Sequence, residues 1–180
     1  MLFRSWAQRD VELMAAKYVV KGLPDGRFDP GGRVTRAQFA AMLVRAMGLQ
    51  PARAPMSFRD VKATDWYFGE LMTAVSAGIV HGYDDGTFRP DDPVTREQVA
   101  AMLARALRAA GKAAPAGGQA EAALAGFADA GQVSGWARAD LALAVQEGIV
   151  KGQTATTLAP RAGATRAEAA VMVARFWRKP

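Results

Sequence analysis

The sequence predicts an all-α fold in which three helix-loop-helix repeats form one body. The stretch VTREQVAAML at 94–103 recurs as VTRAQFAAML at 34–43 and as ATRAEAAVMV at 164–173. In each copy, apolar residues follow the Thr-Arg pair at the spacing of one helix face. A repeat of this size is too small to bury its own apolar face, so we expect the three repeats to pack against one another.

The two helices of a repeat are separated by a segment of turns. In repeat 2 the first helix is indicated by Leu71, Val75 and Ile79, which recur at helical spacing. The segment GIVHGYDDGTFRP at 78–90 then interrupts the helix with Gly and Pro. The second helix follows a Thr that is a natural N-cap, with Gln or Glu at the third helical position, so we predict a capping box in each repeat. The pairs are Thr35 and Gln38, Thr95 and Gln98, and Thr165 and Glu168.

The boundaries of the repeats follow from this alignment. We assign residues 1–50 to repeat 1, 56–110 to repeat 2, 111–125 to a linker and 126–180 to repeat 3. The linker, GKAAPAGGQAEAALA, is rich in Ala, Gly and Pro, which predicts a flexible connection. Repeats 2 and 3 share a Phe-x-Asp motif before the first helix, which repeat 1 lacks. Repeat 3 in turn has ATTL where the other two have an Asp-Gly-x-Phe loop.

The composition excludes several classes of function. The chain has no cysteine, which excludes thiol catalysis, disulfides and thiolate zinc sites. It has no apolar run long enough to span a membrane and no motif for a catalytic triad, a phosphate loop or a zinc protease. His81, the only histidine, aligns with Lys21 and Lys151, which favours a basic residue over a metal ligand. We therefore expect no enzymatic activity, no cofactor and no metal site.

The charge and the start of the chain bear on its partners and location. The net charge of +6 is compatible with an anionic partner, but the basic residues are scattered, so we do not expect nucleic acid. The first ten residues, MLFRSWAQRD, lack the apolar segment of a signal peptide. If the mature protein is exported, we expect this chain to be part of a longer one.

The Arg of the Thr-Arg pair calls for a partner. Arg36, Arg96 and Arg166 stand at the first helical position, where the helix dipole disfavours a cation by a few tenths of a kcal/mol. One explanation is an anion bound by the guanidinium and the free N–H groups of the helix start. The other is an internal ion pair with Asp60, Asp129 or an acid of the first helix. The residues alone leave both explanations open. A second recurrent set lies near the helix end, where the dipole suffices as a reason for a cation: Arg45, Arg105 and Arg175.

Two further recurrent sets allow two interpretations each. Trp6, Trp66 and Trp136 correspond to one another and are either core anchors or flat platforms for a sugar ring; for a lone Trp the core is favoured. Asp60 and Asp129 either cap a turn before the helix or accept hydrogen bonds from ligand hydroxyls, and turn capping is favoured.

The combined pattern of repeat 2 resembles an S-layer homology repeat. The resemblance rests on FRD at 58–60, Trp66, GIVHGY at 78–83, DGTFRP at 85–90 and VTREQ at 94–98, and three such repeats cover nearly the whole chain. It implies a pseudo-threefold helical bundle that anchors a larger secreted surface protein to the bacterial cell wall or S-layer, outside the cell. The implied ligand is a secondary cell wall polysaccharide attached to peptidoglycan, often with a terminal pyruvate ketal on N-acetylmannosamine, bound in grooves between repeats.

The resemblance also implies roles for particular residues. The Arg residues of the Thr-Arg pairs should contact the acidic sugar, and the three Trp residues should pack at the grooves. Asp60 and Asp129 should help through hydrogen bonds to hydroxyls. Three loop glycines should let the ligand approach the backbone: Gly22, Gly82 and Gly152. Because repeats 1 and 3 depart from the pattern, we expect unequal grooves, the weakest being one that depends on the repeat 3 loop. A second hypothesis is a protein–protein assembly module without glycan binding.

Overall fold

The computed structural model describes residues 6–23, 25–54, 58–113 and 121–180. Within these ranges the chain forms six α-helices and one short 3-10 helix (Ala130–Gln132), with isolated bridges as its only β-structure. The α-helices are α1 (Gln8–Ala16), α2 (Arg36–Met47), α3 (Phe68–Ser76), α4 (Arg96–Ala109), α5 (Gly135–Gln146) and α6 (Arg166–Arg178). The predicted all-α class is confirmed. None of the helices in the described ranges is long and apolar enough to cross a membrane.

The helices pair across the repeats, and the pairing closes a ring. The first helix of each repeat packs against the second helix of the repeat before it: α3 against α2, α5 against α4, and α1 against α6. The three second helices also contact one another at the centre. Isolated bridges follow the same cyclic order and join Arg33 to Thr165, Thr35 to Pro93, and Thr95 to Gly163. The three repeats therefore share one body, as the sequence predicts.

The second helices begin where the sequence places them. Thr35 is the N-cap of α2, where its hydroxyl accepts the Gln38 N–H at 3.3 Å and the Gln38 side chain accepts the Thr35 N–H at 3.1 Å. The same reciprocal pair starts α4 and α6, so all three predicted capping boxes are confirmed. Each cap stabilises its helix by about 1 kcal/mol.

The core fills the space between these helices. Phe39 and Leu43 of α2, Leu103 of α4 and Phe176 of α6 are almost completely buried. Burying a side chain of this size stabilises the fold by about 1.5–3 kcal/mol relative to leaving it exposed. The apolar stripes predicted for the second helices thus form the shared centre of the three repeats.

The predicted flexible linker has packed ends. Residues 114–120, within the predicted linker 111–125, lie outside the described ranges. Leu124 is 1% exposed and belongs to the core. Glu121 forms an ion pair of 2.5 Å with Arg138 of α5. Lys112 donates a hydrogen bond of 2.5 Å to the Lys179 carbonyl at the end of the chain. The described ends of this segment are therefore held against the body.

Candidate functional site

Three surface grooves lie at the junctions between repeats, and residues from all three repeats line each of them. We name each groove by the Arg of its Thr-Arg pair. Their volumes are about 340 Å³ (the Arg96 groove), 460 Å³ (the Arg166 groove) and 570 Å³ (the Arg36 groove), which is the size range of small-ligand sites. The Arg36 groove contains His81, Gly82, Gln98, Arg105 and Trp136; the Arg96 groove contains Lys151, Gly152, Glu168, Arg175 and Trp6; the Arg166 groove contains Lys21, Gly22, Gln38, Arg45 and Trp66.

Each naming Arg holds the loop of the next repeat. Arg36 is 4% exposed, and its Nε donates to the Phe88 carbonyl at 2.8 Å while its Nη2 donates to the His81 carbonyl at 3.3 Å. The equivalent acceptors are Leu158 and Lys151 for Arg96, and Phe28 and Lys21 for Arg166. Burial lowers the pKa of all three guanidinium groups, which still carry their charge at neutral pH. Two of the three guanidinium nitrogens are therefore committed to the fold.

The N–H groups at the helix starts are committed as well. The backbone N–H of Arg36 donates to the Asp92 carbonyl, and that of Ala37 donates to the Pro90 carbonyl, each at 3.0 Å. The next repeat covers the starts of α4 and α6 in the same way. The expectation of free N–H groups for an anion is therefore wrong, because the chain after each loop crosses the neighbouring helix start.

In the described ranges, none of the three naming arginines forms an ion pair with Asp60, Asp129 or an acid of a first helix. Within the described ranges, Arg96 alone among the three has a carboxylate partner, Glu168, at 2.8 Å. The expected partners lie elsewhere, because the acids of the first helices contact cations at the helix ends. Those pairs join Arg45 to Glu70, Arg105 and Arg108 to Asp140, and Arg178 to Asp10.

Asp60 and Asp129 hold the loops from outside the grooves. The Asp60 carboxylate accepts the backbone N–H groups of Phe88 at 2.8 Å and Arg89 at 2.7 Å. Asp129 accepts those of Leu158 and Ala159 in the same way. Burial raises the pKa of Asp129, but these two N–H groups outweigh that effect and leave the pKa below its ordinary value. Neither carboxylate lines one of the three grooves. The favoured interpretation, capping of a turn before the helix, is wrong, because both carboxylates hold the loop that follows the first helix.

The loops of all three repeats contain a left-handed residue at the same position. Arg89 (φ 57°) and Ala159 (φ 49°) take this disfavoured conformation beside Asp60 and Asp129. In repeat 1 the same place is taken by Asp29 (φ 50°), a residue type that tolerates it better. Residues 3–5, which stand where the other repeats have the Phe-x-Asp motif, lie outside the described ranges.

Two of the three loop glycines are required by packing inside the protein. A Cβ at Gly82 would collide with the Phe58 ring and lie 2.8 Å from the Thr87 carbonyl oxygen. A Cβ at Gly152 would collide with the Thr154 carbonyl oxygen and lie 2.8 Å from the Phe127 ring. Gly82 and Gly152, like Gly22, also line their grooves. The structure thus gives two of them an internal reason in addition to the predicted closeness to ligand.

The three tryptophans are exposed, and the core interpretation is wrong for them. Trp6, Trp66 and Trp136 are 71%, 61% and 57% exposed. Each lies near the start of a first helix, at the rim of the groove formed by the other two repeats. Trp66 rests edge-on against Tyr67, with ring centroids 5.3 Å apart. Each groove therefore has a flat apolar surface beside its cations.

Sequence reasoning missed the second basic residue of each groove. Arg45, Arg105 and Arg175 were attributed to the helix dipole, yet they line the grooves opposite the naming Arg residues. Burial lowers the pKa of Arg105 and Arg175. Their recurrence at the same position in all three repeats could have indicated a role in the grooves. The helix dipole alone would be satisfied by a cation at any position near the helix end.

Comparisons with known proteins agree with this architecture. A family model described as S-layer homology domain matches residues 4–40, 57–100 and 126–170. The chain is 35% identical to an amylopullulanase of Thermoanaerobacterium thermosulfurigenes, over 94% of this chain and 9% of that protein. It is 33% identical to the surface-layer 125 kDa protein of Lysinibacillus sphaericus, over 94% of this chain and 14% of that protein. It is also 29% identical to a cellulosome-anchoring protein of Acetivibrio thermocellus, over 87% of this chain and 34% of that protein. The chain thus spans a minor part of each relative.

Proposed function

Because the chain belongs to the S-layer homology family, we propose that it is a binding module that anchors a larger surface protein to the bacterial cell wall. Its relatives include a surface-layer protein and a cellulosome-anchoring protein, which supports a place in the cell envelope. The enzymes among the relatives match it over a small part of their length, which supports anchoring without catalysis. What it carries depends on a protein longer than this chain.

The proposed ligand is an acidic secondary cell wall polysaccharide with a pyruvate ketal, attached to peptidoglycan. The observation that carries this proposal is the pairing, in every groove, of an exposed Trp with an Arg that is buried (Arg36 and Arg96) or half-buried (Arg166). A sugar ring presents an apolar face that packs on an indole, and the ketal carboxylate is a planar acceptor for a guanidinium. The combination fits a sugar that carries a carboxylate.

Two of the grooves leave one guanidinium nitrogen available for such a carboxylate. Nη1 of Arg36 and Nη1 of Arg166 make no hydrogen bond within the described ranges. No fully buried side-chain N or O atom in those ranges lacks a hydrogen bond, so both Nη1 groups reach solvent. Lys21 and Arg45 line the Arg166 groove, and Arg105 lines the Arg36 groove, which also contains the carboxylates of Asp84 and Glu97. We assign the ketal carboxylate to these Nη1 groups.

The other predicted ligand-binding residues are proposed to act either by direct contact with the sugar or through the loops. The three Trp residues would pack on sugar rings. Gly22, Gly82 and Gly152 would give the polymer access to the loop backbone. Asp60 and Asp129 would act through the loops that they hold, and their predicted hydrogen bonds to sugar hydroxyls stay a prediction.

Co-sedimentation with cell wall sacculi tests the proposal without disturbing the fold. The chain should sediment with untreated walls and stay in solution with walls from which acid has extracted the secondary polymer. A variant carrying Trp66→Ala and Trp136→Ala should bind at least about tenfold more weakly, because an aromatic contact stabilises by about 1.5–3 kcal/mol. Tyr18→Ala is the matched control, since Tyr18 is an aromatic residue that is 80% exposed and lines none of the grooves.

The alternative function makes the opposite prediction. A protein–protein assembly module would bind extracted and untreated walls equally, and loss of the two Trp side chains would not change its sedimentation. That result would overturn the glycan proposal and direct the search to a protein partner.

A further inference from the structure

A buried carboxylate in the Arg36 groove holds the helix that carries the tryptophan of that groove. Glu97 is 5% exposed and stands at the second position of α4. Its Oε2 accepts the backbone N–H of Ser134 at 3.0 Å, and its Oε1 accepts a hydrogen bond from the Ser134 hydroxyl at 2.8 Å. Ser134 is the N-cap of α5, and Trp136 is the second residue of that helix. The contact therefore joins the start of α4 to the residue that precedes α5.

The Ser134 side chain serves this contact instead of capping its own helix. A Ser at an N-cap ordinarily accepts a backbone N–H from the first turn of its helix. The Ser134 side chain makes no such bond, and its hydroxyl donates to Glu97. A carboxylate is favoured here, because it lies in the first turn of α4 and against the N-cap of α5, where both helix dipoles favour negative charge. The two hydrogen bonds allow a carboxyl group to be buried at this place.

The start of α5 differs from the starts of the other two first helices. α1 begins two residues after Trp6 and α3 begins two residues after Trp66, so both tryptophans lie in the turn before their helix. α5 begins one residue before Trp136, which is therefore part of the helix. The counterparts of Glu97 in the other repeats are Ala37 and Ala167. The groove that has the buried carboxylate is thus the groove whose tryptophan has a helical backbone.

A tryptophan fixed in this way is a preformed surface for a sugar ring. Trp136 is 57% exposed, so its indole is presented at the groove and is not packed in the core. A side chain whose backbone is already fixed has fewer conformations to lose when a ligand packs on it. Holding the start of α5 therefore favours binding without adding a contact to the ligand.

We propose that Glu97 is a positioning residue of the Arg36 groove: through Ser134 it holds Trp136, so that the platform for the sugar ring is formed before the sugar binds. The inference rests on the proposed glycan binding. Glu97 acts from behind the groove surface, because it is buried and both of its oxygens accept hydrogen bonds from Ser134. The ordering of one large side chain corresponds to about two- to tenfold in affinity.

Two substitutions at Glu97 separate its contacts from its charge. Glu97→Gln removes the charge and keeps both contacts, since the amide oxygen accepts the Ser134 N–H and the amide N–H donates to the Ser134 hydroxyl oxygen. Glu97→Ala removes both contacts and introduces the residue type that stands in the other two repeats. Ser134→Ala removes the hydroxyl contact from the other side and leaves Glu97 in place.

The indole N–H signals in ¹H–¹⁵N spectra report each groove separately, since Trp6, Trp66 and Trp136 line different grooves. One probe is the methyl glycoside of N-acetylmannosamine that carries a pyruvate ketal, and the other is the same glycoside without the ketal. Glu97→Ala should weaken the binding reported by Trp136 about two- to tenfold for both probes, because the effect acts through the ring platform. It should also lower the ¹H–¹⁵N NOE of the Trp136 indole and leave the affinities reported by Trp6 and Trp66 unchanged.

The other two variants complete the prediction. Glu97→Gln should keep the affinity and the indole NOE of the unmodified chain, whereas Ser134→Ala should weaken the binding reported by Trp136 by less than Glu97→Ala does. Tighter binding of the ketal probe in both Glu97 variants would overturn the inference, because Glu97 would then act as a charge that repels the acid.

A purely structural role would also be recognised. Glu97→Ala and Ser134→Ala would then have lower melting temperatures and an unchanged affinity at Trp136, which would overturn the inference while glycan binding stands. If Glu97→Ala does not fold, Ser134→Ala decides, and an affinity equal to that of the unmodified chain would overturn the inference. No response from any of the three signals in the unmodified chain would overturn glycan binding and the inference together.

Discussion

Replacing Arg36 by Lys separates the charge of this residue from its shape. Arg36 is buried, and its guanidinium spans two acceptors, the Phe88 carbonyl at 2.8 Å and the His81 carbonyl at 3.3 Å. It also lies over the rings of Phe88 and Tyr83, at 4.7 and 4.8 Å from their centroids. A Lys keeps the positive charge but has a single nitrogen, so it can satisfy only one of the two carbonyls at this geometry.

The expected loss of stability follows from the hydrogen bond that disappears. A hydrogen bond to a charged group contributes about 1.5–3 kcal/mol. We therefore expect Arg36→Lys to lower the free energy of unfolding by about 2 kcal/mol, which corresponds to about 4–8 °C in Tm for a domain of this size.

Urea denaturation measures this change if the m-value stays constant between variants. Arg161→Lys is the matched control, since Arg161 is exposed and makes no hydrogen bond or ion pair in the described ranges. Arg36→Lys should lower the midpoint and Arg161→Lys should not. Equal midpoints for Arg36→Lys and the unmodified chain would refute the reasoning, because Arg36 would then matter only as a charge.

Two further predictions concern the loops. Gly82→Ala should destabilise the fold by about 1–3 kcal/mol, because the new Cβ overlaps the Phe58 ring. Gly31→Ala is the control and should leave stability unchanged, since a Cβ there meets nothing within 4 Å. Thermal unfolding of both variants measures the difference. The pKa of Asp129 is below its ordinary value of 3.8, so the unfolded chain binds a proton first as the pH falls; stability from this group is complete above 3.8 and is lost below it. The stability difference between the chain and Asp129→Asn should therefore be largest above pH 3.8 and shrink as the pH falls further, and a constant difference would contradict the assignment.

The features that the sequence predicts correctly are local ones. The capping boxes depend on residues within one helical turn, and the apolar stripes depend on residues within one helix. Both features can be predicted from the residue types and the geometry of an isolated helix. Asp60 and Asp129 were expected to cap a turn before the first helix, but the N–H groups that they bind lie 28 to 30 residues further along the chain, beyond that helix.

The features that the sequence does not predict depend on the order in which the repeats close. The first helix of a repeat packs on its predecessor, and α1 packs on α6 at the opposite end of the chain. Arg166 accordingly holds carbonyls of Phe28 and Lys21, more than a hundred residues away. The exposure of the three tryptophans has the same origin, because each completes a groove built by the other two repeats. No pattern within a single repeat contains this information.

The choice between an architectural and a ligand-binding Arg, which the sequence leaves open, is not a choice between exclusive roles. One edge of the Arg36 guanidinium, formed by Nε and Nη2, faces backbone carbonyls, while Nη1 reaches solvent in the groove. Removing the whole side chain would break the loop contact and the proposed ligand contact together, so loss of wall binding in such a variant would not distinguish them.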